Sequence, residues 1–135
     1  MGYPITDIRG IGPNTVLILK SEGIRTTVAL LRLAKTPKQR LKIAERVGTK
    51  DKNVLDWVTA ADRMRVKGVG WEYSELLREA GVKTVKELKF RNPQKLVEQM
   101  TEANAKRKLV RFLPSVSMVE RWIENAKKLP PVIRY

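Results

Sequence analysis

Two short runs carry most of the chemistry this chain can offer: Arg9-Gly10-Ile11-Gly12-Pro13-Asn14 and Lys67-Gly68-Val69-Gly70-Trp71-Glu72. Each places a cation before two glycines that flank an apolar residue, and each leads at once into a helical pattern. A glycine has no Cβ to obstruct an approaching molecule and permits positive φ. The helix that follows presents free N–H groups and the positive end of its dipole at the same spot. Such a bend is an anion site made of main chain, with Ile11 as the anchor that holds it to the core.

Other chemistry lacks its residues. Cysteine and histidine are both absent, which removes disulfides, thiolates, zinc sites of the usual ligand types and histidine-based general bases. The glycine runs have neither the third glycine nor the Lys-Ser/Thr ending that cradles nucleotides. Asp7, Glu22, Glu45, Asp51, Asp56 and Asp62 are scattered, with Lys or Arg near most of them. A metal-dependent nuclease would want its carboxylates clustered. The expectation is a binder without catalytic residues, cofactor or metal.

The charge says what it would bind. Lys and Arg number 28 against 14 Asp and Glu, a net of +14 in 135 residues, with a pI near 10.4. Divided after Arg65, each half carries +7, so the excess belongs to the body of the chain and not to a tail. A field of that sign favours polyanions, nucleic acid or an acidic protein surface among them. No apolar run approaches the roughly 18 residues of a membrane span. Met1 is followed by Gly, Tyr and Pro, unlike a secretory leader. A cytoplasmic protein that does not engage membranes is expected.

The elements that must position the two bends repeat as well. At an offset of 58, Gly10, Gly12, Leu19, Gly23 and Thr26 coincide with Gly68, Gly70, Leu77, Gly81 and Thr84. At an offset of 65, Val54, Trp57, Val58, Ala61 and Met64 coincide with the apolar stripe Val119, Trp122, Ile123, Ala126 and Leu129. Repeat 2 therefore holds about seven extra residues, placed between Met100 and Pro114.

Helix starts are predicted at Pro13, at Thr36-Pro37 and at Asn92-Pro93, and Thr84/Glu87 and Ser117/Glu120 have capping-box spacing. Gly23, Gly48 and Gly81 suit helix ends. The Val54 helix is expected to continue through Arg65, and no alternation is long enough for a strand. The fold class is all-α: two tandem helical repeats, 1–65 and 66–135, in one compact unit, with the closing PPVIRY as a tail or surface strap.

Residues 8–27 and 66–85 resemble helix-hairpin-helix motifs. The pattern hydrophobe-Gly-hydrophobe-Gly continues into Val16 and Leu19 in one copy and Ser74 and Leu77 in the other. Nearly the whole chain is similar to a bacterial and archaeal family of duplicated helix-hairpin-helix proteins of unassigned function. The resemblance implies contact with nucleic-acid phosphates, most often DNA, without base specificity. It also implies that tandem copies can serve as protein-interaction scaffolds, which is the alternative function. A lysine-based lyase, found in some relatives of the motif, would need an Asp that Lys67 lacks at that spacing.

The implied contacts are Arg9, Gly10, Ile11, Gly12 and Asn14 in the first copy and Lys67, Gly68 and Gly70 in the second. Glu72 stands where phosphate-binding copies carry Lys or Arg, so the first bend is the better candidate. Lys106, Arg107, Lys108 and Arg111 form a second basic cluster, read as a helix on which Arg107 and Arg111 share a face while Leu109, Val110 and Leu113 point inward. Leu17, whose counterpart is Glu75, is expected either to face the other repeat or to be an exposed contact for a partner.

Overall fold

Helices begin where the sequence supplies partners for their free amides. In the computed structural model, which describes residues 2–135, a 3-10 turn at Ile5–Asp7 precedes α1 (Pro13–Ser21), α2 (Thr27–Leu33), α3 (Pro37–Val47), α4 (Asp51–Arg63), α5 (Trp71–Glu79), α6 (Val85–Leu88), α7 (Pro93–Lys106) and α8 (Val116–Lys127). The described residues form no strand, only an isolated antiparallel bridge between Pro4 and Thr26. None of their helices is long and apolar enough to cross a membrane.

Thr26 and Asn92 accept hydrogen bonds from the Ala29 and Lys95 amides at the starts of α2 and α7. Reciprocal boxes form between Thr84 and Glu87 and between Thr36 and Gln39. One such cap stabilises by about 1 kcal/mol. It matters most for α6, whose four residues are too few to persist alone. Burial of Val85 and Leu88 adds roughly 1.5–3 kcal/mol each and holds that turn in place. Gly23, Gly48 and Gly81 sit at φ of 84°, 75° and 92° and close α1, α3 and α5 in the left-handed region.

Two helix boundaries depart from the sequence reading. The cap of α8 is Ser115, which accepts from the Met118 amide at 3.1 Å, and Ser117 lies inside the helix. The earlier start follows the buried Pro114 and adds the bond from Val119 N–H to the Ser115 carbonyl. Helix α4 stops at Arg63, two residues short of Arg65, because Val66 donates back to the Arg63 carbonyl and the chain turns to bury Val66 and Val69.

The basic segment after Lys106 is not helical. Asn104 accepts from the Leu109 and Val110 amides and donates to the Val110 carbonyl. These bonds replace helical ones and roll the chain over. Arg107 and Arg111 therefore do not share a helix face, and of the three apolar residues only Val110 is fully buried. Leu17 is likewise not covered: it is 66% exposed.

The main chain divides into two compact units, Met1–Asp62 with Val132–Tyr135, and Arg63–Pro131. In the first, α1 packs on α3, and Ile5, Ile8, Leu19, Ile24, Leu30, Val54 and Val58 are buried. The α4 stripe predicted at Val54, Trp57, Val58 and Ala61 is buried, and so is Met64, which follows α4 and belongs to the second unit. In the second, α7 packs on α5 and α8, and α6 on α8, around Val66, Val69, Leu76, Leu77, Leu96, Met100 and the α8 stripe, with Leu129 half-buried beside it.

The closing residues 132–135 belong to the first unit. Arg134 donates its amide to the Lys35 carbonyl at 2.9 Å and accepts from the buried Arg40 guanidinium, which also donates to the Ala34 and Lys35 carbonyls. Burial lowers the pKa of Arg40 from its ordinary value, opposed by the fields of Tyr135 and Asp51.

The offset of 58 relates two different solutions to one packing problem. Arg63 is buried in the second unit; it donates to the carbonyl and hydroxyl of buried Ser74 at 2.8 and 3.0 Å and to the Lys83 carbonyl at 2.9 Å. The residues 58 earlier are Ile5, Val16 and Arg25. There two apolar side chains replace the guanidinium and hydroxyl, and the Ile5 amide itself donates to the Arg25 carbonyl at 2.9 Å. A buried polar group needs partners or must be absent: the second unit supplies hydrogen bonds to Nε and Nη1 of Arg63 and leaves Nη2 facing Glu75 Oε1 at 3.9 Å, while the first unit dispenses with the polar groups.

Candidate nucleic-acid interface

At the first bend, Ile11 donates its amide to the Ile8 carbonyl at 3.1 Å, and both side chains are buried. This pins the apolar residue between the glycines and leaves Gly10, Gly12, Pro13 and Asn14 on the surface. Gly12 is the N-cap of α1 at φ −72°, with no side chain to cap the helix and Pro13 in the first turn. Among the described residues, the amides of Gly10, Gly12, Asn14 and Thr15 have no hydrogen-bond partner.

Neither glycine here has positive φ, and a Cβ built on either would meet nothing within 4 Å. The fold itself thus makes no demand for glycine at these two positions. Arg9 is exposed and Asp7, two residues before it, is half-buried. The main-chain dipoles at the start of α1 add to the positive field at the bend.

The second bend shares the pinned apolar residue, with Val69 donating its amide to the Val66 carbonyl at 3.0 Å, and an uncapped glycine at the helix start, but differs in what surrounds them. Gly68 sits at φ 89°, and its Cβ position is 3.4 Å from Trp122 Nε1 on α8. The Lys67 amide donates to Asn125 Oδ1 at 2.9 Å, also on α8. Gly70, half-buried, is the N-cap of α5, and Glu72 is the acid in its first turn. That carboxylate occupies, electrostatically, the place an external anion would take. Lys67 is exposed.

The basic cluster lies in the same unit. Lys106 ends α7, and Arg107 pairs with Glu79 at 2.5 Å. Lys108 and Arg111 are exposed in the rolled-over loop, and among the described residues neither they nor Lys106 form an ion pair. The Tyr73 hydroxyl donates to the Phe112 carbonyl at 3.0 Å, which ties this loop to the first turn of α5. Tyr73 also packs on Trp122, with ring centroids 5.2 Å apart. The loop and the second bend are thus joined through Tyr73, while Arg107 is removed from the free cations.

The residues that organise this surface include three that a search for cations passes over: Asn104, Tyr73 and Phe112. Only Phe112 leaves a trace in sequence, as an aromatic directly after Arg111. A family model described as a domain of unknown function (DUF4332) matches residues 9–129. No solved structure matches the chain.

Proposed function

We propose that this chain, which belongs to the DUF4332 family, binds nucleic acid, most readily DNA, through its phosphate backbone and without reading base sequence. In this reading the two bends are helix-hairpin-helix units. The first supplies the main-chain contact, and the basic surface of the second adds to the field. What carries the reading is the first bend. Its two glycines are required by neither φ nor packing, and they stand among unpartnered amides at an uncapped helix start. A Cβ-free, donor-rich bend on a chain of net charge +14 suits a phosphate, whose oxygens can accept from adjacent N–H groups.

The test is a titration of labelled duplex and single-stranded DNA and of RNA at several salt concentrations. About four neutralised phosphates on a duplex give a log–log slope of about −3.6. Asn14→Glu sets a carboxylate at the start of α1, as Glu72 does in the other copy. Its repulsion of a phosphate at about 4 Å in water is about 1 kcal/mol, a fivefold loss of affinity. The same charge favours α1 by about 0.3–1 kcal/mol, so weaker binding would not arise from unfolding. Glu72→Lys should strengthen binding. Indifference to both changes would move the contact elsewhere.

Leu17 favours a second reading, a protein-interaction module that docks on an acidic partner, since it exposes an apolar side chain on α1. Absence of nucleic-acid binding at low salt would select that reading.

A further inference from the structure

Phe112 is 75% exposed, yet the loop that carries it is well anchored. Asn104 makes three hydrogen bonds to Leu109 and Val110. The Phe112 carbonyl accepts from Tyr73, and Val110 and Pro114 are buried on either side. A phenyl ring on a slack loop would be free to fold back and shed its water. Here the main chain is fixed on both sides of the ring and the ring remains in solvent.

Its surroundings are cationic. Lys108 and Arg111, both exposed, precede it in the loop, and Glu79, which lies against this segment, is taken up by Arg107. Phe90, 80% exposed, is the contrasting case. Its neighbour Arg91 is committed to the Ala80 and Gly81 carbonyls and to Gln99. The groove beside Phe90 mixes Lys89, Arg91 and Lys127 with Glu120 and Glu124, and Lys127 pairs with Glu124 there. Phe112 shares its loop with Lys108 and Arg111, which are exposed and form no ion pair among the described residues.

We infer that the loop 107–114 is a stacking platform for an unpaired base, with Phe112 taking the base and Lys108 and Arg111 the adjoining phosphates. The preferred ligand is then a single strand or an unpaired end. The inference rests on the nucleic-acid reading above and narrows it. Every base has a π-face, so an aromatic platform accepts single strands regardless of sequence, and cations beside it hold the backbone. A blunt duplex keeps its bases stacked on each other and offers the ring nothing but its ends.

Three probes separate these contributions by fluorescence anisotropy: an oligothymidylate, the same sugar-phosphate strand without bases, and a blunt duplex. Phe112→Ala should weaken oligothymidylate binding about 5- to 150-fold and change the other two by less than about twofold. Phe112→Trp should retain binding. Circular dichroism should be unaltered in both variants, since the ring contributes little to the core. Equal weakening of all three probes, or of none, would overturn the inference while leaving the phosphate-binding reading intact. Failure of the wild-type chain to bind any of them overturns both. A Phe112→Ala variant that keeps oligothymidylate but loses attachment to phosphatidylserine vesicles would reassign the loop to a lipid surface.

Discussion

Gly10 and Gly68 occupy the same place in the internal repeat, yet alanine should have opposite effects at the two. Gly10 lacks positive φ and has open space where a Cβ would project. Gly10→Ala acts there through the unfolded chain, whose freedom it reduces, and should stabilise by about 0.4–1 kcal/mol. Gly68 sits at φ 89°, where an L-residue costs roughly 1–2 kcal/mol. The contact of 3.4 Å to Trp122 Nε1 is ordinary packing and adds no clash. After the same unfolded-state gain, Gly68→Ala should lose about 1 kcal/mol.

The two variants thus differ by about 2 kcal/mol. With an m-value near 2 kcal/mol/M, their urea midpoints should lie about 1 M apart, on either side of wild type. Coincident midpoints, or a Gly10→Ala variant destabilised by about 1 kcal/mol or more, would refute the distinction between an open bend and a conformationally committed one. Phosphate affinity should divide the other way, falling for Gly10→Ala and holding for folded Gly68→Ala.

Arg63→Met leaves the Ser74 and Lys83 carbonyls without their donor, and should cost about 1–3 kcal/mol in urea unfolding. Adding Ser74→Val copies the apolar arrangement of the first unit and should recover part of that loss; no recovery would mean that the guanidinium acts elsewhere. Ser115→Ala should destabilise by about 1 kcal/mol and Ser117→Ala by a few tenths at most, a difference that thermal unfolding can resolve. A reversed order would place the start of α8 two residues later.

Local physics was legible in the sequence. The Thr84/Glu87 box, the glycines that close α1, α3 and α5, and the α4 and α8 stripes each depend on residues within a few positions of one another. Residue type and spacing therefore determine them. The Thr36/Gln39 box was missed for a small reason, since glutamine can take the part usually looked for in glutamate. Ser117 misled because Ser115, two residues earlier, offered an equally good hydroxyl and an earlier helix start.

What only the tertiary structure decided is which bend is open. The sequence carries the same glycines, hydrophobes and preceding cation in both copies. Asn125 and Trp122, more than fifty residues beyond the second bend, determine that one is tied down. The guanidinium of Arg63 reaches Ser74 and Lys83 across 11 and 20 residues, where spacing gives no sign of a pair. Asn104 likewise converts a basic run that reads as helix into a loop with Phe112 on its outside. Helix caps and apolar stripes are short-range and periodic, so they can be read along a chain. Burial and hydrogen-bond satisfaction depend on distant segments meeting, and they are settled only when the chain has folded.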